Sequence, residues 1–171
     1  MLCTCAILGI SLILVAGCTT STPGIKSTHA LNQNEVAELV NGTYAFNASI
    51  YQITAGHSQS GDHEIDIYIT VMNTGTTPIQ LKGFSKITGS NGVSYGGVGV
   101  SHGGIGVETD ILGPGGQGTG RDYVIIDSDK DYEAMAQGGA TLDISFVTEP
   151  LTNETPVSFS AEWTLDPSVF T

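Results

Sequence analysis

The acidic run Asp127-Ser128-Asp129-Lys130-Asp131, with Glu133 beyond it, is the constellation that resembles a metal site. Carboxylates at alternate positions of a loop can converge on a hard cation, and all-oxygen ligation by Asp127, Asp129 and Asp131 would suit Ca2+. A twelve-residue calcium loop beginning at Asp127 does not fit: its sixth position is Tyr132 rather than Gly, its twelfth is Gly138 rather than Glu, and Lys130 puts a countercharge inside it. The favoured reading makes Ser128 or Asp129 the cap of a short helix over 130–137, closed by Gly138. The expectation is therefore no cofactor, with Ca2+ as the single candidate. His57 and His63 flank a Gly/Ser loop, and with His29 and His102 they lack the i, i+4 spacing of a zinc helix. Ser94 and Ser101 lie in G-x-S-x-G spacings, at 92–96 and 99–103, but neither stands on the strand-to-helix elbow that serine chemistry of this type needs. Carboxylate pairs for glycoside hydrolysis meet in space rather than in sequence, so a hydrolase stays open but without named residues.

Tyr95 to Arg121 holds eleven glycines in the 25 residues from Gly96 to Gly120. A phosphate-binding loop needs a strand before it, a helix after it and, in its P-loop form, a Lys behind the last Gly, whereas here no Lys occurs between Lys86 and Lys130. The stretch reads as a surface loop or a weakly specified hairpin around Val98, Val100, Ile105 and Val107, with a partner-binding surface as the sharper alternative. Seventeen Asp and Glu against five Lys and Arg give a net charge of −12, which opposes docking to nucleic acid and to anionic lipid surfaces. Aromatic residues make up 7% of the chain, which argues against an open sugar-stacking platform; Tyr51 and Trp163 are the residues that could serve one.

The N-terminus points to export. Residues 5–15, CAILGISLILV, form an almost wholly apolar run that ends in small residues, as a secretion signal does, and it is short for the roughly 20 residues that span a bilayer. Val15-Ala16-Gly17-Cys18 resembles the lipobox of prokaryotic lipoproteins, which implies an acylated Cys18 as the first residue of the mature chain. The departure is an n-region without Lys or Arg. Cys3, Cys5 and Cys18 are the only cysteines, so no disulfide is expected in the fold. The expected organisation is a signal peptide over 1–17, a lipid-anchored tether over 18–40 and a folded domain over 41–171. Within the tether, 34–40 could form a helical turn or two or a first edge strand.

From residue 43 onward apolar residues recur with period two, the signature of half-buried strands. Ile65, Ile67, Ile69 and Val71 share one face of residues 62–71, with Glu64, Asp66, Tyr68 and Thr70 on the other. Residues 43–53, 78–87, 141–147 and 156–165 repeat the pattern, and 122–127 reads as a strand buried on both sides or central in a sheet. Trp163 shares the inward parity of Val157, Phe159 and Leu165, which predicts a core position. Half a dozen short strands punctuated by Asn-Thr-Gly, Ser-Asn-Gly and Gly-Pro-Gly turns predict an all-β antiparallel sandwich.

Val71, Asn73, Thr74 and Gly75, followed some forty residues later by Leu112, Pro114 and Gly115, resemble the Val-x-Asn-Thr-Gly and Leu-x-Pro-Gly landmarks of immunoglobulin-like modules on bacterial and archaeal surface proteins, the CARDB-type adhesion modules among them. The resemblance implies an immunoglobulin-like sandwich and adhesion, scaffolding or binding without catalysis. The resulting expectation is a cell-envelope lipoprotein on the outer face of the membrane, with a protein or glycan partner. A subunit that self-associates by strand exchange is the competing class. Asn41, Asn47 and Asn153 stand in N-x-S/T sequons and are glycosylation candidates on an exported chain.

Overall fold

The computed structural model describes residues 25–26, 31–97, 105–107, 111–149, 151 and 155–171. The signal run with Cys18, the sequon residue Asn153, and Val98 and Val100 of the glycine-rich stretch lie outside them.

In chain order the strands are β1 (Ile25–Lys26), β2 (Leu31–Asn32), β3 (Ala37–Asn41), β4 (Tyr44–His57), β5 (His63–Asn73), β6 (Leu81–Gly89), β7 (Ser94–Gly96), β8 (Ile105–Val107), β9 (Gln117–Ile126), β10 (Ala140–Thr148) and β11 (Ser158–Leu165); α1 (Asp129–Gly138) lies between β9 and β10. The hydrogen-bonded order is β1-β11-β10-β6-β8-β9-β5-β4-β3, with β2 on β11 and β7 on β6. Two antiparallel-rich layers result, a β-sandwich. One layer contains β11, β10 and β6, the other β9, β5, β4 and β3, and short β8 pairs with both β6 and β9. The period of two in the sequence becomes the inward face of each layer. Ile65, Ile67, Ile69 and Val71 of β5 and Leu142, Ile144 and Phe146 of β10 are all fully buried. Burying each such side chain contributes roughly 1.5–3 kcal/mol. Phe46 of β4 meets Phe146 and Phe159 edge-on, at ring-centroid distances of 5.4 and 4.9 Å, so the two layers interlock through aromatic rings.

Residues 31–41 are built into this sandwich, although the sequence reading placed 18–40 in the tether. Ala37 and Leu39 of β3 are buried, and Trp163, buried as expected, donates from Nε1 to the Glu35 carbonyl at 3.1 Å. β1 and β2 add to β11 in parallel, a pairing that leaves no periodic trace in two-residue strands. Part of the glycine-rich stretch is likewise strand: Gln117 to Gly120 opens β9, in register with Ile69 to Met72 of β5.

The two sequence landmarks meet in space. Asn73 N–H donates to the Gly116 carbonyl and Gly115 N–H to the Asn73 carbonyl, both at 2.9 Å, while Asn73 Nδ2 donates to the Leu112 carbonyl at 2.8 Å. Asn73 is fully buried, and its Oδ1 accepts from Gly75 N–H. A buried amide that satisfies three backbone groups fixes both turns at one end of the sandwich.

Candidate functional site

A register shift in β4 builds the most chemically varied surface. Between Ile50 and Gln52 the pairing with β5 slips by one residue, a β-bulge. Before it Phe46, Ala48 and Ile50 point inward; after it Ile53 and Ala55 lie opposite the buried Ile67 and Ile65. Parity is thereby reversed, and Tyr51 and Gln52 emerge side by side on the outer face. Rows of residues cross this face: Gln52, Tyr68 and Arg121 in one, Thr54, Asp66 and Tyr123 in the next, Glu64 and Ile125 in the third. Tyr51 is 55% exposed, and its ring centroid lies 5.9 Å from that of Tyr68, with the planes tilted by 49°. The Arg121 guanidinium lies 5.8 Å from the Tyr68 centroid, within cation–π range. Arg121 donates to Asp66 Oδ1 from Nε at 3.0 Å and from Nη2 at 2.5 Å, and Nη2 stands 3.6 Å from Glu64 Oε1. The hydrogen bond to Asp66 raises the pKa of Arg121, an already permanent cation. Beyond Tyr123 the face runs into a depression of about 460 Å3 lined by Ser58, Gln59, Ser60, Glu64 and Ile125. Sequence reading found Tyr51 but neither Tyr68 nor Arg121 as its neighbours. Strand pairing, β4 with β5 and β5 with β9, brings them together, and no local residue pattern encodes it.

The acidic run does something else. Ser128 caps α1, its side chain accepting from Asp131 N–H at 3.3 Å, and Gly139 closes the helix with φ of 72°. The cap is one of the two residues anticipated, and the closing glycine falls one position later. The carboxylates turn to separate partners. Asp131 accepts from Asn91 Nδ2 at 2.7 Å and from the Tyr95 hydroxyl at 2.8 Å, whereas Asp129 accepts from His63 Nε2 at 3.0 Å. Among the described residues no group of three or more His, Cys, Asp or Glu is placed to hold a metal ion. The Tyr95 hydroxyl holds Asp131 below the usual carboxylate range, and burial together with that carboxylate pushes Tyr95 up. His63, expected at the surface, lies with its ring stacked on Tyr132 at 3.7 Å and 5.0 Å from the His57 ring.

A third polar group lies wholly inside. Asp122 of β9 is fully buried and accepts from Ser85 N–H at 3.1 Å, from the Ser85 hydroxyl, and from Tyr123 N–H at 2.8 Å. Gly97 donates its N–H to the Ser85 carbonyl at 2.7 Å, and a Cβ on Gly97 would collide with the Asp122 carboxylate and the Ser85 hydroxyl. Asp122 and Ser85 therefore join β9 to β6 across the seam between the layers.

Of the sequons, Asn41 ends β3 at the hairpin and Asn47 lies on the outer face of β4, opposite Met72. No helix among the described residues is long and apolar enough to cross a membrane. The sequence matches no protein-family model and no curated protein. Among solved structures the chain is similar to MPT63, a secreted protein of Mycobacterium tuberculosis, at 11% identity over 84% of this chain and 99% of that one, with a TM-score of 0.46. It is also similar to YcdA, a "putative lipoprotein" of Bacillus subtilis, at 9% identity over 81% of this chain and 40% of that one, with a TM-score of 0.46.

Proposed function

We propose that this chain is a non-catalytic lipoprotein of the cell envelope: an immunoglobulin-like binding or adhesion module, anchored through acylated Cys18 on the outer face of the membrane. The observation that carries the binding role is the outer face of β4, β5 and β9, where two tyrosine rings and an Arg–Asp–Glu cluster stand at the surface. The remaining polar clusters have structural work: Asp122 ties the seam, Asn73 ties two turns, and Asp131 and Ser128 hold the start of α1. The anchor is supported by the apolar run of 5–15 and the Val15-Ala16-Gly17-Cys18 tetrapeptide. An acidic domain so anchored is repelled from anionic headgroups and stands clear of the bilayer.

Metabolic labelling of a bacterial host expressing the full chain with radioactive palmitate tests the anchor. The expected result is label on the wild-type chain, which partitions into the detergent phase, and none on Cys18→Ser. An unlabelled wild-type chain retaining Met1 would overturn it. Self-assembly is the second reading, favoured by β3, which ends the strand order and carries the exposed Val36 and Val40 beside it and on it. Sedimentation of the detergent-solubilised chain over a range of concentrations separates the two: mass independent of concentration is expected, and mass growing with it would favour the subunit.

A further inference from the structure

We propose that the outer face of β4, β5 and β9 binds a single neutral polysaccharide chain, with Tyr51 and Tyr68 as stacking rings and Arg121, Asp66 and Glu64 as partners for sugar hydroxyls. The proposal rests on the reading of the chain as a non-catalytic surface module and names the ligand class of that same face.

A pyranose ring presents C–H groups on its faces and hydroxyls around its edge, so it is complemented by a flat ring bordered by donors and acceptors rather than by aliphatic side chains. Tyr51 and Tyr68 supply ring surface, and within one row of them lie an amide in Gln52, a hydroxyl in Thr54, a guanidinium in Arg121 and a carboxylate in Asp66. Rows along a strand are about 7 Å apart, on the scale of one sugar ring. Both hydrogen bonds from Arg121 fall on Asp66 Oδ1, and among the described residues no donor reaches Oδ2. Charge-assisted acceptors of this kind bind hydroxyls more tightly than neutral ones do.

Charge and geometry narrow the class. Two carboxylates surround one cation on this face, in a chain of net charge −12, so a uronate, sialylated or phosphate-bearing glycan would meet repulsion. Ring planes tilted by 49° cannot both lie flat on one crystalline surface, whereas a single chain that twists along its axis can meet each in turn. A protein partner would call for roughly 800 Å2 of this surface with an apolar centre, and here the centre between the rings and the depression is the Arg121–Asp66–Glu64 cluster. The depression lined by Ser58, Gln59 and Ser60 continues the face in hydroxyl and amide groups.

Native gel electrophoresis of the full chain, in mild detergent with a polysaccharide cast into the gel, tests the proposal. Laminarin, arabinoxylan and galactomannan serve as neutral probes, and polygalacturonate as the anionic one. The expected result is retardation by at least one neutral polysaccharide, none by polygalacturonate, and no co-sedimentation with microcrystalline cellulose. Tyr51→Ala and Tyr68→Ala should each weaken retardation by about threefold to tenfold. Tyr51 is exposed on a bulge, so its loss leaves the fold and the mobility in a blank gel unchanged. No retardation by any neutral probe, equal retardation by polygalacturonate, or undiminished retardation of Tyr51→Ala would overturn the proposal. New reducing ends in the incubated polysaccharide would overturn the non-catalytic reading alone. An unlabelled Cys18 would overturn the anchor and leave the glycan surface standing.

Discussion

Asp122 and Asp66 sit on neighbouring strands of the same layer, on opposite faces, and the contrast between them separates what holds this protein together from what it can offer to a partner. Asp122 faces inward from β9, is fully buried, and is tied to the backbone and hydroxyl of Ser85 across the seam. Its partners are main-chain groups or a short buried side chain, none of which can leave without opening the core. Asp66 faces outward from β5, its side chain 19% exposed, and its partner is the long side chain of Arg121, itself 41% exposed. A partly exposed pair held by one long side chain contributes about 1 kcal/mol, so both members can be redirected to a ligand at little cost to the fold. The same carboxylate is a structural tie in one position and, on the proposed binding face, a group that can be redirected in the other. Depth and the mobility of the partner make the difference.

The sharpest way to break the contrast is to truncate each carboxylate. Asp122→Ala would leave the Ser85 hydroxyl and two backbone N–H groups buried without their acceptor, which should lower stability by about 3 kcal/mol and the melting temperature by about 10 °C. Asp66→Ala should cost less than about 1 kcal/mol. Equal losses in calorimetry would abolish the distinction. Next in size is Gly97→Ala, whose methyl group must force Asp122 and Ser85 apart; overpacking of this kind costs about 2 kcal/mol, read as a lower urea midpoint with an unchanged slope. Ser128→Ala removes the cap of α1 and should cost about 1 kcal/mol in the same assay. The smallest effect concerns Asp131. Its carboxyl is held below the usual range in the folded state, so the stabilisation it brings is present above the ordinary carboxylate pKa and is lost as pH falls through its folded value. Tyr95→Phe removes the largest cause of that depression. Carbon-detected NMR titration should then show Asp131 ionising closer to the usual range, with less of the variant's stability lost in acid.

The strands were legible in the sequence wherever one face is buried along a long element, because an alternating pattern is the direct imprint of that burial. β5 and β10 follow it residue by residue, and Trp163 falls in the core where its parity put it. The turn landmarks at 71–75 and 112–115 were legible as punctuation, but that Asn73 ties one to the other follows from a fold that brings their ends together. Short added strands were not legible: β1, β2 and β8 have two or three residues, fewer than a period-two pattern needs to declare itself. Residues 31–32 therefore read as tether, whereas β3 forms where a helical turn or a first edge strand was the expectation. The candidate site was legible only in part. A composition of 7% aromatic residues argues against a sugar platform when averaged over the chain, yet strand pairing sets Tyr51 next to Tyr68 and Tyr68 next to Arg121, and an average carries no information about such clustering. The acidic run shows the reverse case, since residues close in sequence diverge once α1 forms: Asp129 takes His63 as its partner, and Asp131 takes Asn91 and Tyr95.

Recognition, as proposed, belongs to one outer face of the sandwich, that of β4, β5 and β9. Carbene footprinting of the full chain, read by mass spectrometry with and without a saturating mixture of laminari-, xylo-, manno- and cellohexaose, tests it directly. The account predicts that Tyr51, Tyr68 and Tyr123 become protected while Phe84, exposed on the outer face of β6 in the other layer, is labelled as before. Protection of Phe84 with no change at Tyr51 and Tyr68 would contradict it.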